Sequence, residues 1–200
     1  MEKHLIMIDF TAVKSGTISY ADMMAKLTKA DLYQFTDAMI DTMQEIIADA
    51  IDADVVFVPL DPDANDTFGI PEEKDLAWTL GHVVVHVTAS SEESAALALT
   101  LARGLPVEGR SRYEVPWQSV LTIAQTRQRL EESRRMRKAM LDAWPDEPHL
   151  DVTYTPYPRL GPLNAVGRFI MGLRHDTDHL DQLREIMRQG REAHPRDSAR

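Results

Sequence analysis

An all-α fold, a four-helix bundle with a short extra N-terminal helix and long loops, follows from three observations. Four long segments carry apolar residues at helical spacing. Proline, glycine and Asp/Asn gather between those segments, and only one short apolar run, residues 55 to 58, resembles a strand. A single run of that length cannot make a sheet, whereas four apolar helical stripes bury one another in a bundle. With 200 residues and 44% hydrophobic content the chain fits one domain with a sizeable core.

In chain order, residues 1 to 18 form an arm, irregular as far as Gly16. Ser19 with Asp22 is a capping signal for a short helix to about Leu27. Thr28 with Asp31 repeats that signal before Leu32, Phe35, Met39, Met43, Ile46 and Ile47, the stripe of a first long helix ending near Ala50. Residues 55 to 73 begin as a short strand candidate, then become a loop with three prolines. Proline is absent from Lys74 to about Gly104, where Leu76, Leu80, Val83, Val87, Leu97 and Leu101 share one helical arc; the Ser90, Ser91 pair marks a candidate bend. A charged amphipathic helix follows from Gln118 to Trp144, stopped by Pro145. After a proline-rich loop, the last helix runs from about Leu163 to Gln189, with Gly190 as its stop. The bundle domain thus spans residues 19 to 190, and residues 191 to 200 form a frayed polar tail.

Composition removes several function classes. Without cysteine there are no disulfides, thiolate metal sites or cysteine nucleophile, so thiol chemistry needs a thiol from outside. No segment approaches the roughly 20 apolar residues that span a bilayer, and the acidic start is no signal peptide, which points to the cytoplasm and away from membranes. The net charge of −10 arises in residues 1 to 75, where 16 acids face five lysines. Such a chain repels phosphate backbones, so nucleic acid is not an expected partner. The run RRMRK, residues 134 to 138, reads as a solvated helix face, flanked as it is by Glu131, Glu132 and Asp142.

The chemistry lies in the histidines. Of seven, four form two i, i+4 pairs, His82 with His86 and His175 with His179, where random placement gives on the order of 0.2 such pairs. Each pair sits on one helix face, one turn apart, so two imidazoles can converge on one ion. Neutral imidazoles suit zinc, nickel, copper or ferrous iron, and three of them leave a coordination position open. By angle around its helix, His86 points nearer the apolar arc than His82, which favours His86 as the ligand and leaves His82 as a candidate base or extra ligand. His175 and His179 share a stripe with Leu183 and Ile186, and Asp176, Asp178, Asp181 and Gln182 are candidate acceptors for an imidazole N–H. The competing reading is two hydrogen-bonded histidine pairs with no metal.

Trp78 followed eight residues later by His86, and the late H-x-x-x-H of His175 and His179, resemble the DinB-like (YfiT-like) superfamily of helical-bundle metalloenzymes over about residues 20 to 190. The resemblance implies a metal triad of His86, His175 and His179, and a kinship of fold with S-transferases and isomerases that use bacterial low-molecular-weight thiols. His82 departs from the simplest form of the pattern.

The expected function is therefore a metal-dependent enzyme acting on a small-molecule substrate. Its divalent ion, zinc or nickel first and iron or manganese next, activates an external thiol or, as a hydrolase, water. A different class stays open: a non-catalytic ligand-binding or stress-response bundle, although Met39, Met43 and Met187 read as core rather than as a ligand box. Homodimer and monomer stand evenly. Tyr154 and Tyr157 are candidates to cover the site or to pack beside it, and His149 approaches it only if its loop folds over. His4 and His194 lie in the expected loose ends and carry no expected role.

Overall fold

The computed structural model of the chain describes residues 7–62, 64–65, 74–107 and 115–196. It is all-helical, with no strand among the described residues and a single antiparallel bridge, Tyr154 to Leu163. The helices are α1 (Thr11–Lys14), α2 (Tyr20–Met24), α3 (Lys29–Ile46), α4 (Asp52–Val55), α5 (Leu80–Ala102), α6 (Ile123–Asp142) and α7 (Ala165–Ala193), with 3-10 turns at Trp117–Ser119 and Pro158–Leu160. The four long ones make a square bundle in which α3 and α5 each pack on both α6 and α7. Leu32, Met39, Ile40, Met43, Leu80, Val83, Leu101, Leu130, Leu141, Ile170, Leu183 and Met187 are fully or almost fully buried between them, so the methionines are core. No helix is long and apolar enough to cross a membrane among the described residues.

Both predicted N-terminal caps form as capping boxes. Ser19 Oγ and Thr28 Oγ1 accept from the backbone N–H of Asp22 and Asp31, whose carboxylates accept in return from the cap residues. Elsewhere the boundaries move. The predicted strand does not form: Val55 ends one helical turn, α4, in which it and Asp54 are buried, and residues 56–58 are irregular. Residues 63 and 66–73 of that loop fall outside the described residues, as does His4. Helix α5 begins at Leu80, not near Lys74, because Thr79 is extended and its hydroxyl accepts from His82 N at 3.2 Å. It is continuous through Ser90 and Ser91. Helix α6 begins at Ile123 because Thr122 and Gln125 form a capping box.

Both chain ends are tied down more firmly than the pattern predicts. Ile8 and Phe10 of the arm are buried in the core, and Thr11–Lys14 is already helical. Helix α7 passes through Gly190 to Ala193. Gly190 acts not as a stop but as a close-approach site: a Cβ there would lie 2.8 Å from Asp54 Oδ1. The Asp54 carboxylate, fully buried, accepts from Ile51 N at 2.8 Å, lies 3.2 Å from His194 Nδ1 and pairs with Arg196. The first residues of the expected polar tail are therefore fastened to α4, and His194 has a structural place.

Candidate metal centre

Helices α5 and α7 run antiparallel, with His86 level with His175 and His179, Ser91 level with Gly172 and Asp176, and Ser94 level with Arg168. Their approach is close because Gly172 lies at the seam, where a Cβ would fall 2.8 Å from Ser94 Cβ and 3.0 Å from Ser91 Cα. That proximity lets three imidazoles meet. His86 Nε2 stands 3.1 Å from His175 Nε2, and one ligand nitrogen from each of His86, His175 and His179 lies within 4.8 Å of the others. Two imidazole nitrogens bound tetrahedrally to one zinc ion at its usual bond length lie about 3.4 Å apart, so this set has the dimensions to hold such an ion. All three side chains are half-buried.

His179 Nδ1 lies 2.8 Å from Gln182 Oε1. An amide oxygen only accepts, so Nδ1 carries the proton and Nε2 keeps its lone pair for a metal. Of the four predicted acceptors, Gln182 takes that role for His179. Asp178 pairs with Lys14 at 2.6 Å, Asp181 pairs with Arg184 at 2.7 Å, and Asp176 turns into the bundle.

Inside, Asp176 and Arg137 form a fully buried ion pair at 2.5 Å across the diagonal between α7 and α6. Ser91 Oγ lies 2.7 Å from the carboxylate, and Ser133 Oγ accepts from Arg137 Nε at 3.0 Å. Burial pushes the Asp176 carboxyl up, and Arg137 and Ser91 offset only part of that rise. Arg137 thus departs from the predicted solvated face of RRMRK. Arg135 keeps to it, while Arg134 and Lys138 bridge α6 to α3 through Asp37 and Asp41.

The indole of Trp78, just before the α5 cap, covers the histidines: its ring centroid is 4.4 Å from that of His86 and 5.9 Å from that of His179. Its other neighbour is His82, at 4.6 Å, and Trp117 stacks on the far side of His82 at 4.6 Å and 5°. His82 is hence held between two indoles. It is the more buried of its pair, because the 3-10 turn at Trp117 covers the helix face that the bundle leaves open. It does not belong to the three-histidine group. Beyond Trp117 lies an apolar pocket of about 230 Å³ walled by Val56, Val58, Leu76, Thr79, Val120 and Leu121.

His149 stands at the opposite end of α5, its ring against Gly104 and its backbone N–H donating to Ala102 O. Tyr154 and Tyr157 lie close enough to Arg168 to act on its charge. Spacing gave no hint of Trp117, Ser91 or Arg137. Arg168 was within reach of a spacing argument, seven residues before His175, but it carries no motif.

Three imidazoles from two antiparallel helices, roofed by an indole and backed by a buried ion pair, define a helical-bundle protein with a histidine centre. The chain belongs to the DinB superfamily, whose family model matches residues 36–183. Comparison with curated proteins and with solved structures gives no match.

Proposed function

We propose that the protein is a metal-dependent enzyme in which His86, His175 and His179 hold one divalent transition metal, zinc or nickel before iron or manganese, and an external low-molecular-weight thiol reacts with a small electrophilic substrate. The observation that carries this reading is the mutual approach of the three imidazole nitrogens. Three neutral ligands leave the ion its full charge, and with three protein ligands a position remains for an exogenous group. A bound ion would supply Lewis acidity, lowering the pKa of a thiol or water and stabilising negative charge on the substrate.

The chain's own residues supply the rest. Gln182 fixes the His179 tautomer, and Trp78 shields one side of the histidines from water, which strengthens electrostatic interactions there. The Arg137–Asp176 pair fixes the rotation of α7 and so the direction of His175 and His179. His82, gripped by its two indoles, positions Trp78 rather than moving a proton. The absence of cysteine from the chain favours a thiol from outside, and hydrolysis is the alternative use of the same open position.

Metal analysis of protein purified without a nickel column tests this reading. Near-stoichiometric metal is expected in the wild type, with loss in His179→Ala at unchanged helical content. Equal metal in both proteins overturns the triad. No metal in either, after zinc, nickel and iron have been supplied, overturns the metal-dependent enzyme.

A further inference from the structure

Two helical turns from the histidines, on the same α5/α7 seam, lies a second polar cluster that the metal chemistry does not use. Residues 168, 175 and 179 fall within one narrow arc of α7, so Arg168 occupies the stripe of His175 and His179, about 10 Å along the axis from His175. Arg168 is 5% exposed, donates through Nη1 to Ser94 Oγ at 2.6 Å, and has a buried Nε–H with no acceptor among the described residues. No carboxylate among those residues is in ion-pair contact with it. Beside it the Tyr20 hydroxyl, on a side chain 4% exposed, is also buried without a hydrogen-bond partner.

A buried guanidinium that lacks an ion-pair partner, next to an unsatisfied phenol, is costly, and folded proteins retain such groups where something else meets them. The local charges agree. Arg168 acts with Glu93, Tyr154, Tyr157 and Tyr20, and Tyr20 with Arg174 and Asp178, which is itself paired to Lys14. Lys14, Arg168 and Arg174 thus face Glu93 and Asp178, three cations against two carboxylates, a surplus of one positive charge among the described residues. Tyr154, half-buried, and Tyr157, exposed, both on the loop before α7, lie close enough to act on Arg168, so the cluster has a neighbour at the surface.

We propose that Arg168 and Tyr20 form a binding subsite for the carboxylate of a small organic acid, Arg168 donating through its free Nε edge and Tyr20 through its hydroxyl. The planar guanidinium edge matches a carboxylate, and a phenol O–H supplies a third donor. That this acid is the substrate or the thiol cofactor of the reaction rests on the function proposed above; that the subsite binds a carboxylate does not. A ligand held at both places would carry its carboxylate about 10 Å from its reacting group.

Ligand-observed NMR with butyrate, butyramide and inorganic phosphate as probes tests the subsite on the full chain. Butyrate is expected to bind saturably, with butyramide and phosphate about tenfold weaker or worse. Binding should weaken about tenfold in Arg168→Gln and severalfold in Tyr20→Phe. The Tyr20→Phe change removes one oxygen and keeps the packing, so it carries the test if the arginine variant fails to fold. His179→Ala should bind butyrate as the wild type does, even where metal analysis has overturned the triad. Undiminished binding in Arg168→Gln or Tyr20→Phe, equal binding of phosphate or butyramide, or no saturable butyrate binding overturns the proposal. So does loss of binding in His179→Ala alone, which would put the carboxylate at the histidines.

Discussion

Replacing Arg137 with methionine keeps most of the side-chain volume and removes the partner of Asp176. Both groups are at most 1% exposed, so water does not screen the loss. The stranded carboxylate either stays ionised in the interior or takes up a proton. The second route sets the ceiling. Protonating a carboxyl whose unfolded pKa is near 3.9 costs about 1.36 kcal/mol per pH unit above that value, or about 4 kcal/mol at pH 7. This agrees with the roughly 3–5 kcal/mol seen when one partner of a buried pair is removed. The sign follows from linkage. Burial already raises the Asp176 carboxyl beside Arg137, and without that cation it rises further above its unfolded value, so the variant's folded form binds the extra proton and loses stability relative to wild type as pH rises. The deficit should therefore shrink to about 1.5 kcal/mol at pH 5. Urea unfolding of chelator-treated wild type and Arg137→Met, followed by far-UV circular dichroism at both pH values, measures it. The double variant Arg137→Met/Asp176→Leu should recover most of the loss. A deficit below about 1 kcal/mol at pH 7, or one that is the same at pH 5, would refute the reasoning.

Two other changes test separate parts of the structure. Gln182→Leu removes the acceptor of His179 Nδ1–H and should weaken zinc affinity about 10- to 100-fold without loss of helix content; an unchanged affinity in a competitive chelator titration contradicts the assigned tautomer. Gly190→Ala would gain about 1 kcal/mol of helix propensity at an ordinary interior site. Here its Cβ meets an Asp54 carboxylate anchored by Ile51, His194 and Arg196, so a net destabilisation of about 1–3 kcal/mol is expected in thermal unfolding, and a stabilised variant would show that the contact gives way.

The bundle was legible because each long helix carries an apolar stripe, and two of its starts were legible because Ser19 and Thr28 each stand three residues before an aspartate. The Thr122–Gln125 box obeys the same rule, but the run of polar residues around it hid the boundary. The His86 side of the pair was read from angle alone, an argument that counts partners only within the bundle. It could not anticipate that Trp117, on a loop, buries His82 more deeply than the bundle buries His86. Gly190 was read as a terminator because glycine often is one; its reason is a tertiary contact 136 residues away in sequence, beyond any local pattern. The same holds for Arg137. Of the other cations in RRMRK, Arg135 faces solvent and Arg134 and Lys138 bridge to acids of α3, and only the phase of α6 separates Arg137 from them.

The chain has three tryptophans, and two of them, Trp78 and Trp117, sit in one stack with His82, while Trp144 is buried elsewhere. Protonated imidazole and many bound transition ions quench indole emission at contact range. Trp78, within ring contact of His86 and His179, is therefore placed to report on them: a quenching ion held there, or protonation of the imidazoles, would lower its fluorescence with no label attached to the chain.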